Sequence, residues 1–140
     1  MNPARIVLVD DNTADVNLLR MALEQQRAEY ELHVLETGDE ALRFVREYRD
    51  GACDSQPCVI LLDLHLPKYD GLAILRAIRQ APGLADIHVV VLSGMASPSE
   101  RDKIATLGAA YRQKPFDLND YLELGAEVIA ICASVSAAAA

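Results

Sequence analysis

Apolar runs and helical spacings alternate along the chain. RIVLVD, Arg5 to Asp10, is a short β-branched run of buried-strand type. Asp11 to Gln26 follows with helical periodicity, Val16, Leu19 and Leu23 sharing a face. Tyr30 to Leu35 alternates as a second strand, and Asp39 to Tyr48 reads as a helix with Ala41, Leu42 and Val45 inward. Arg49 to Pro57 is rich in turn residues and reads as a loop. Val59 to Leu62 is a third strand, and Gly71 to Arg79 a helix with Leu72, Leu75 and Ile78 on one face. Ile87 to Leu92 is a fourth strand. Ser97 to Leu107 is a helix with Pro98 in its first turn, where proline is tolerated. Ala109 to Arg112 makes a fifth strand, and Asp117 or Asn119 caps a last helix that runs to about Cys132. Near-continuous apolar strands between helices predict an α/β fold, a doubly wound parallel sheet with helices on both faces.

The length of 140 residues suits one domain, and a hydrophobic content of 51% is enough to fill its core. The domain is read as residues 1–133; SVSAAAA, residues 134–140, is a low-complexity tail, disordered or a frayed helix end. The net charge of −8 argues against nucleic acid, which needs a basic face. No run approaches the roughly 18 apolar residues of a membrane span, and no basic region precedes a long apolar one at the start. A cytoplasmic protein with no membrane partner is expected. The three cysteines, Cys53, Cys58 and Cys132, cannot all pair and lack a second ligand pair for zinc, so they are read as reduced thiols.

The stretch VILLDLHLPKYDG ends an apolar strand on a carboxylate, Asp63. Open parallel sheets build their sites at the carboxyl ends of their strands. The first strand ends in Asp10-Asp11, the third in Asp63, the fourth in Ser93-Gly94 and the fifth at Lys114-Pro115. Taken singly, these are turn residues, helix caps and a solvated lysine; together they bring carboxylates, a hydroxyl and an amine to one edge. Two carboxylates about 4 Å apart repel by roughly 4 kcal/mol at an effective dielectric near 20. They call for a hard cation, and Mg2+, or Mn2+ in its place, takes a few carboxylates together with water and phosphate oxygens. An aspartate can act as a nucleophile toward phosphorus. Phosphoryl transfer mostly needs positioning and neutralised charge, which the cation and Lys114 would supply. Ser93 would bond a phosphoryl oxygen, and Gly94 would leave room for it.

These residues resemble the receiver domains of two-component response regulators. The resemblance spans about Arg5 to Ile131 and rests on VLVDDN (Val7 to Asn12), LLDLHLPKYDG (Leu61 to Gly71), VVVLSG (Val89 to Gly94) and LGAAYRQKPF (Leu107 to Phe116). It implies a flavodoxin-like fold with strand order 2-1-3-4-5. It implies that Asp63 accepts phosphate from a phosphohistidine on a sensor histidine kinase. Asp10, Asp11, Asp63 and the backbone carbonyl of His65 would hold Mg2+, Ser93 and Lys114 would contact the phosphoryl group, and Tyr111 would be a switch aromatic. The family's lysine–proline peptide is typically cis. Serine at position 93 replaces the commoner threonine and keeps the hydroxyl. His65 and Met95 flank the approach of hydrolytic water; the His65 side chain is expected to project away from the pocket that Asp63 faces. The loop before the third strand, DLHLPKYDGLAILRAIRQ and PFDLNDYLELGAEVIA look like single-domain regulators that partner bacterial phytochrome kinases.

Three rivals fit less well. A flavodoxin-like cofactor binder needs a glycine- or hydroxyl-rich phosphate loop where DDNTAD stands. An aspartyl-nucleophile hydrolase places a second aspartate where His65 stands. An inactive structural pseudo-receiver predicts loss of the acidic pair, the acceptor or the lysine. No DNA-binding or enzymatic domain is expected after the last helix, so output would run through protein contacts. Leu122, Val128, Ile129 and Ile131 suggest apolar surface for a homodimer through the last helix.

Overall fold

The computed structural model describes residues 3–49 and 56–139, with side-chain surroundings described for 3–48 and 56–135. Cys53 and most of the turn-rich loop lie outside the described residues. The elements run β1 (Ala4–Val9), α1 (Thr13–Gln25), β2 (Tyr30–Leu35), α2 (Gly38–Arg49), β3 (Val59–Asp63), β4 (His65–Leu66), β5 (Tyr69–Asp70), α3 (Gly71–Gln80), β6 (His88–Ser93), α4 (Pro98–Thr106), β7 (Ala110–Gln113) and α5 (Leu118–Ala139). The main sheet has the order β2-β1-β3-β6-β7, every pair parallel. With the small β4–β5 hairpin set aside, this is the expected 2-1-3-4-5.

The apolar runs have no polar alternate positions because both faces of the sheet are covered. Ile6, Leu8, Val59, Leu61, Val90 and Leu92 pack with Leu19, Ala22 and Leu23 of α1 and Tyr121, Leu124 and Val128 of α5. The intervening residues Val7, Val9, Ile60, Leu62, Val89 and Val91 pack with Phe44 and Val45 of α2, Ile74, Leu75 and Ile78 of α3, and Ile104 of α4. This period of two along the strands also decides which end residues meet.

Polar side chains fix the helix starts. Asn12 Oδ1 accepts from the Ala14 and Asp15 N–H groups at 2.9 and 3.3 Å. Ser97 and Glu100 form a reciprocal capping box, with Pro98 the first residue of α4. Asp117, rather than Asn119, caps α5, accepting from the Asp120 N–H at 2.9 Å. Gly108, at φ +69°, turns the chain out of α4. Arg79 fastens that same end: its guanidinium donates to the carbonyls of Leu107 (2.6 Å), Gly108 (3.1 Å), Ala85 (3.2 Å) and Ile87 (2.8 Å).

Two features differ from the expectations. α5 continues to Ala139 instead of stopping near Cys132, because alanine is the strongest helix former and prolongs a helix already docked on the sheet. Of the four residues expected to offer apolar surface, Val128 is fully buried, while Leu122, Ile129 and Ile131 pack on the core and stay partly exposed. The large apolar side chains exposed among the described residues are Met21, Met95, Phe116 and Leu118. The hairpin was also unforeseen. Pro67 opens its turn and Lys68 takes φ +68°.

The hairpin returns the chain to α3 through a close approach at Gly71. The Gly71 N–H donates to the Leu64 carbonyl at 3.1 Å, and a Cβ on Gly71 would stand 2.6 Å from that oxygen. Gly71→Ala is expected to destabilise the protein by about 1–3 kcal/mol through overpacking against backbone, read as a lower urea midpoint at unchanged slope.

Candidate functional site

β1 and β3 run in register, Val9 opposite Leu62, so the next residues, Asp10 and Asp63, emerge side by side. By the period of two they share the sheet face of Leu8 and Leu61, toward α1 and α5. Both are nearly fully buried, Asp10 at 2% and Asp63 at 6% exposure. Carboxylate oxygens of Asp10, exposed Asp11 and Asp63 all lie within 4.8 Å of one another. Asp10 Oδ1 accepts from the Asn12 N–H at 2.9 Å, and Asp63 Oδ1 from the His65 N–H at 3.1 Å.

Lys114, just past β7, reaches across to this cluster. Its Nζ stands 3.1 Å from Asp63 Oδ2, 3.4 Å from Asp10 Oδ2 and 2.9 Å from Asp15 Oδ2. Burial alone would lower the lysine's pKa; the carboxylates of Asp15, Asp10 and Asp63 outweigh it and hold the ammonium above its ordinary value. The balance for Asp10 goes the other way. Burial raises its carboxyl above the ordinary range, and the Asn12 N–H and Lys114 only partly offset this.

Asp15 is the site residue that the strand-end argument did not find. It sits in the first turn of α1, and only the docking of that helix against α5 brings it to Lys114. Its visible signal is an acidic residue three positions after the Asn12 cap. The buried Tyr121 hydroxyl of α5 lies against it, and burial together with Asp15 pushes that phenol's pKa up.

Ser93 ends β6 and is buried at 1% exposure. Its hydroxyl donates to the Met95 carbonyl at 2.8 Å, accepts from the Met95 N–H at 3.2 Å and lies 3.2 Å from His65 Nδ1. His65 Nε2 is in turn 3.5 Å from Glu100 Oε2. The His65 ring therefore does not project away from the site as expected. The chain leaves the sheet at Leu64, and the hairpin, not strand alternation, aims the ring at Ser93. Glu100, read from the sequence only as part of a helix, serves both the α4 cap and this imidazole.

Tyr111 lies in β7, half-buried. Its hydroxyl donates to the Ser93 carbonyl at 3.3 Å, and the Arg101 guanidinium of α4 sits 4.8 Å over its ring. The Ser93 carbonyl also takes the Lys114 N–H at 2.9 Å. The Lys114–Pro115 peptide is trans, not cis as the resemblance implied.

The donors fit a hard divalent cation. Three carboxylates converge, two of them buried, and the donor atoms are all oxygen. Lys114 neutralises only part of their charge. A cleft of about 750 Å³ opens at the other end of β6 and β7, between Arg79, His88, Gly108 and Glu127.

The family model of the response regulator receiver domain matches residues 6–124. The chain belongs to that family of phosphorylation-driven signalling domains. Response regulator Rcp1 of Synechocystis sp. is 39% identical over 106 residues, which cover 75% of this chain and 71% of that one. Among solved structures, the phosphorylated cyanobacterial phytochrome response regulator RcpA superposes with a TM-score of 0.78 at 34% identity, covering 89% of each chain. The Mn2+-bound form of Rcp1 gives 0.76 at 33% identity, covering 88% of this chain and 89% of that one. The flavodoxin-like cofactor binder is set aside by the family match.

Because its folded pKa is raised, Asp10 favours folding at acid pH, and that contribution is lost as pH rises through the raised value. Without metal, Asp10→Asn should therefore be more stable than wild type at neutral pH by about 0.5–2 kcal/mol, with the gain shrinking as pH falls. Added Mg2+ should raise the melting temperature of wild type and move the variant much less. Thermal melts across pH, with and without Mg2+, check both.

Proposed function

We propose that residues 1–133 act as a receiver whose phosphoacceptor is Asp63, charged by a sensor histidine kinase in a Mg2+-dependent reaction. The supporting observation is the convergence of Asp10, Asp11 and Asp63 with Lys114 at one sheet edge, Ser93 ending the neighbouring strand. Asp10, Asp11, Asp63 and the His65 carbonyl would hold Mg2+, or Mn2+, which when bound would neutralise charge on the transferring phosphoryl oxygens.

The chain's own residues do the rest. A carboxylate oxygen of Asp63 attacks phosphorus as the bond to the kinase imidazole breaks. The His65 N–H orients that carboxylate, and Lys114 stays protonated to meet the incoming negative charge. Asp15 holds Lys114 in place at 2.9 Å. Once Asp63 carries phosphate, the Ser93 hydroxyl leaves Met95 and His65 for a phosphoryl oxygen. Tyr111, tied to the Ser93 carbonyl, follows that change and alters the surface of α4, β7 and α5. The chain acts as a signalling domain and not as an enzyme on outside substrates.

The likeness to RcpA and Rcp1 favours a phytochrome-type kinase as the donor. The other partner is a second copy of the chain through the α5 region. Among the described residues no helix is long and apolar enough to cross a membrane, and the reading is of a cytoplasmic domain with neither nucleic acid nor membrane as partner.

Incubation with acetyl phosphate and Mg2+ should add about 80 Da, the mass of a phosphoryl group, to wild type and nothing to Asp63→Asn. An unmodified wild type that also refuses phosphate from candidate kinases would mark an inactive pseudo-receiver. Light scattering tests the switch and the homodimer together. With a phosphoryl analogue, wild type should rise from 15.3 kDa toward twice that mass, and Tyr111→Ala, equally loaded, should not. A monomeric mass at high concentration in both states removes the homodimer.

A further inference from the structure

The resting Ser93 hydroxyl is fully engaged. Its single proton goes to the Met95 carbonyl at 2.8 Å, and its oxygen lies 3.2 Å from both the Met95 amide nitrogen and His65 Nδ1. A phosphoryl oxygen only accepts hydrogen bonds, so Ser93 reaches one only by withdrawing that proton from Met95. The His65 side chain is 57% exposed, so packing alone does not fix its ring; its Nε2 lies 3.5 Å from Glu100 Oε2 of α4. Glu100 divides its carboxylate between two tasks. Oε1 accepts from the Ser97 N–H at 2.9 Å, and the Glu100 N–H donates to Ser97 Oγ at 3.1 Å, which closes the helix cap. The cap needs one oxygen; the other is turned to His65. The next residue, Arg101, lies over the ring of Tyr111, whose hydroxyl donates to the Ser93 carbonyl. Adjacent residues of α4 thus reach Ser93 by separate routes, one to its hydroxyl and one to its backbone.

On the reading of Asp63 as phosphoacceptor, on which this rests, we propose that Glu100 is a positioning residue for phosphoryl recognition: acting through His65, it retains the Ser93 hydroxyl at Met95 and sets how strongly a phosphoryl group must draw on Ser93. The contact between the His65 ring and Ser93 Oγ exists only while the hydroxyl is at Met95. By orienting that ring, Glu100 strengthens the contact in the resting arrangement alone, and a differential of this kind shifts the balance between two arrangements. The coupling runs both ways. Weakening the Glu100–His65 pair makes Ser93 easier to recruit, and recruiting Ser93 weakens the hold of the ring on α4. Both partners are partly solvated, so the pair supplies a graded bias rather than a block.

Calorimetric titration of the full chain with beryllofluoride in the presence of Mg2+ reads affinity for a phosphoryl analogue. Glu100→Gln keeps an oxygen for the Ser97 N–H and puts an NH2 group where Oε2 stands, which cannot accept from an imidazole N–H. This variant should bind the analogue about 1.5- to 5-fold more tightly than wild type, the span of an exposed pair. In a His65→Ala background the same substitution should change nothing, because its route runs through the ring; a defect in the helix cap would persist there. With neither metal nor analogue, the Met95 amide, which bonds Ser93 Oγ, should exchange its hydrogen faster in Glu100→Gln than in wild type, and the difference should vanish in the His65→Ala background. Unchanged or weaker affinity in Glu100→Gln, or an equal gain without His65, would overturn the proposal and leave Asp63 as the acceptor. A wild type that takes up no analogue removes the reading of Asp63 and the role of Glu100 with it.

Discussion

Two carboxylates, Asp10 and Asp63, are buried side by side at the end of a parallel sheet, and much of the site's arrangement answers that constraint. Uncompensated, the pair would repel by several kcal/mol. The Asn12 and His65 N–H groups each bond one of these carboxylates, and Lys114 crosses from β7 to bond both. Asp15 then holds the lysine from α1, with the Tyr121 hydroxyl of α5 against it. Side chains from β1, β3, α1 and α5 and the segment after β7 thus converge on one electrostatic problem. Charge remains after Lys114 is counted, and that residue of negative potential is what suits the crevice to a divalent cation.

The fold was legible because both of its periodicities were strong. Continuous apolar runs gave the buried strands, and the three- and four-residue spacings gave the helices. The carboxylate cluster was legible for a related reason: strand ends of a parallel sheet share an edge, so Asp10, Asp63, Ser93 and Lys114 could be assigned to one place without coordinates. Asp15 escaped because its position depends on how α1 docks, which no local pattern encodes. The His65 ring was misjudged because a two-residue hairpin strand, set by Pro67 and the left-handed Lys68, redirects it toward Ser93. Val128 of α5 was read as surface because periodicity cannot say how wide a buried stripe is; halfway along the helix, it is fully enclosed.

The sheet separates two chemistries. Its carboxyl end holds oxygen donors and one amine, and its amino end beside β3 holds the Cys58 thiol, 3.2 Å from the Arg5 carbonyl oxygen. The five residues of β3, all buried, lie between them. α5 runs past both, with Tyr121 and Cys132 buried in the same apolar cluster.

The Arg79 clamp gives α4 an asymmetric mounting. Four carbonyls, two after α4 and two before β6, are gathered on one guanidinium. At the opposite end the helix meets the site through the Glu100–His65 pair, a long contact at 3.5 Å, and through Arg101 over the Tyr111 ring. α4 is hung like a door, its hinge at Leu107 and Gly108 and its catch at Glu100. Release of the catch by the motion of Ser93 would translate into an angular swing about the hinge, with the largest displacement at Ser97 and almost none at Thr106.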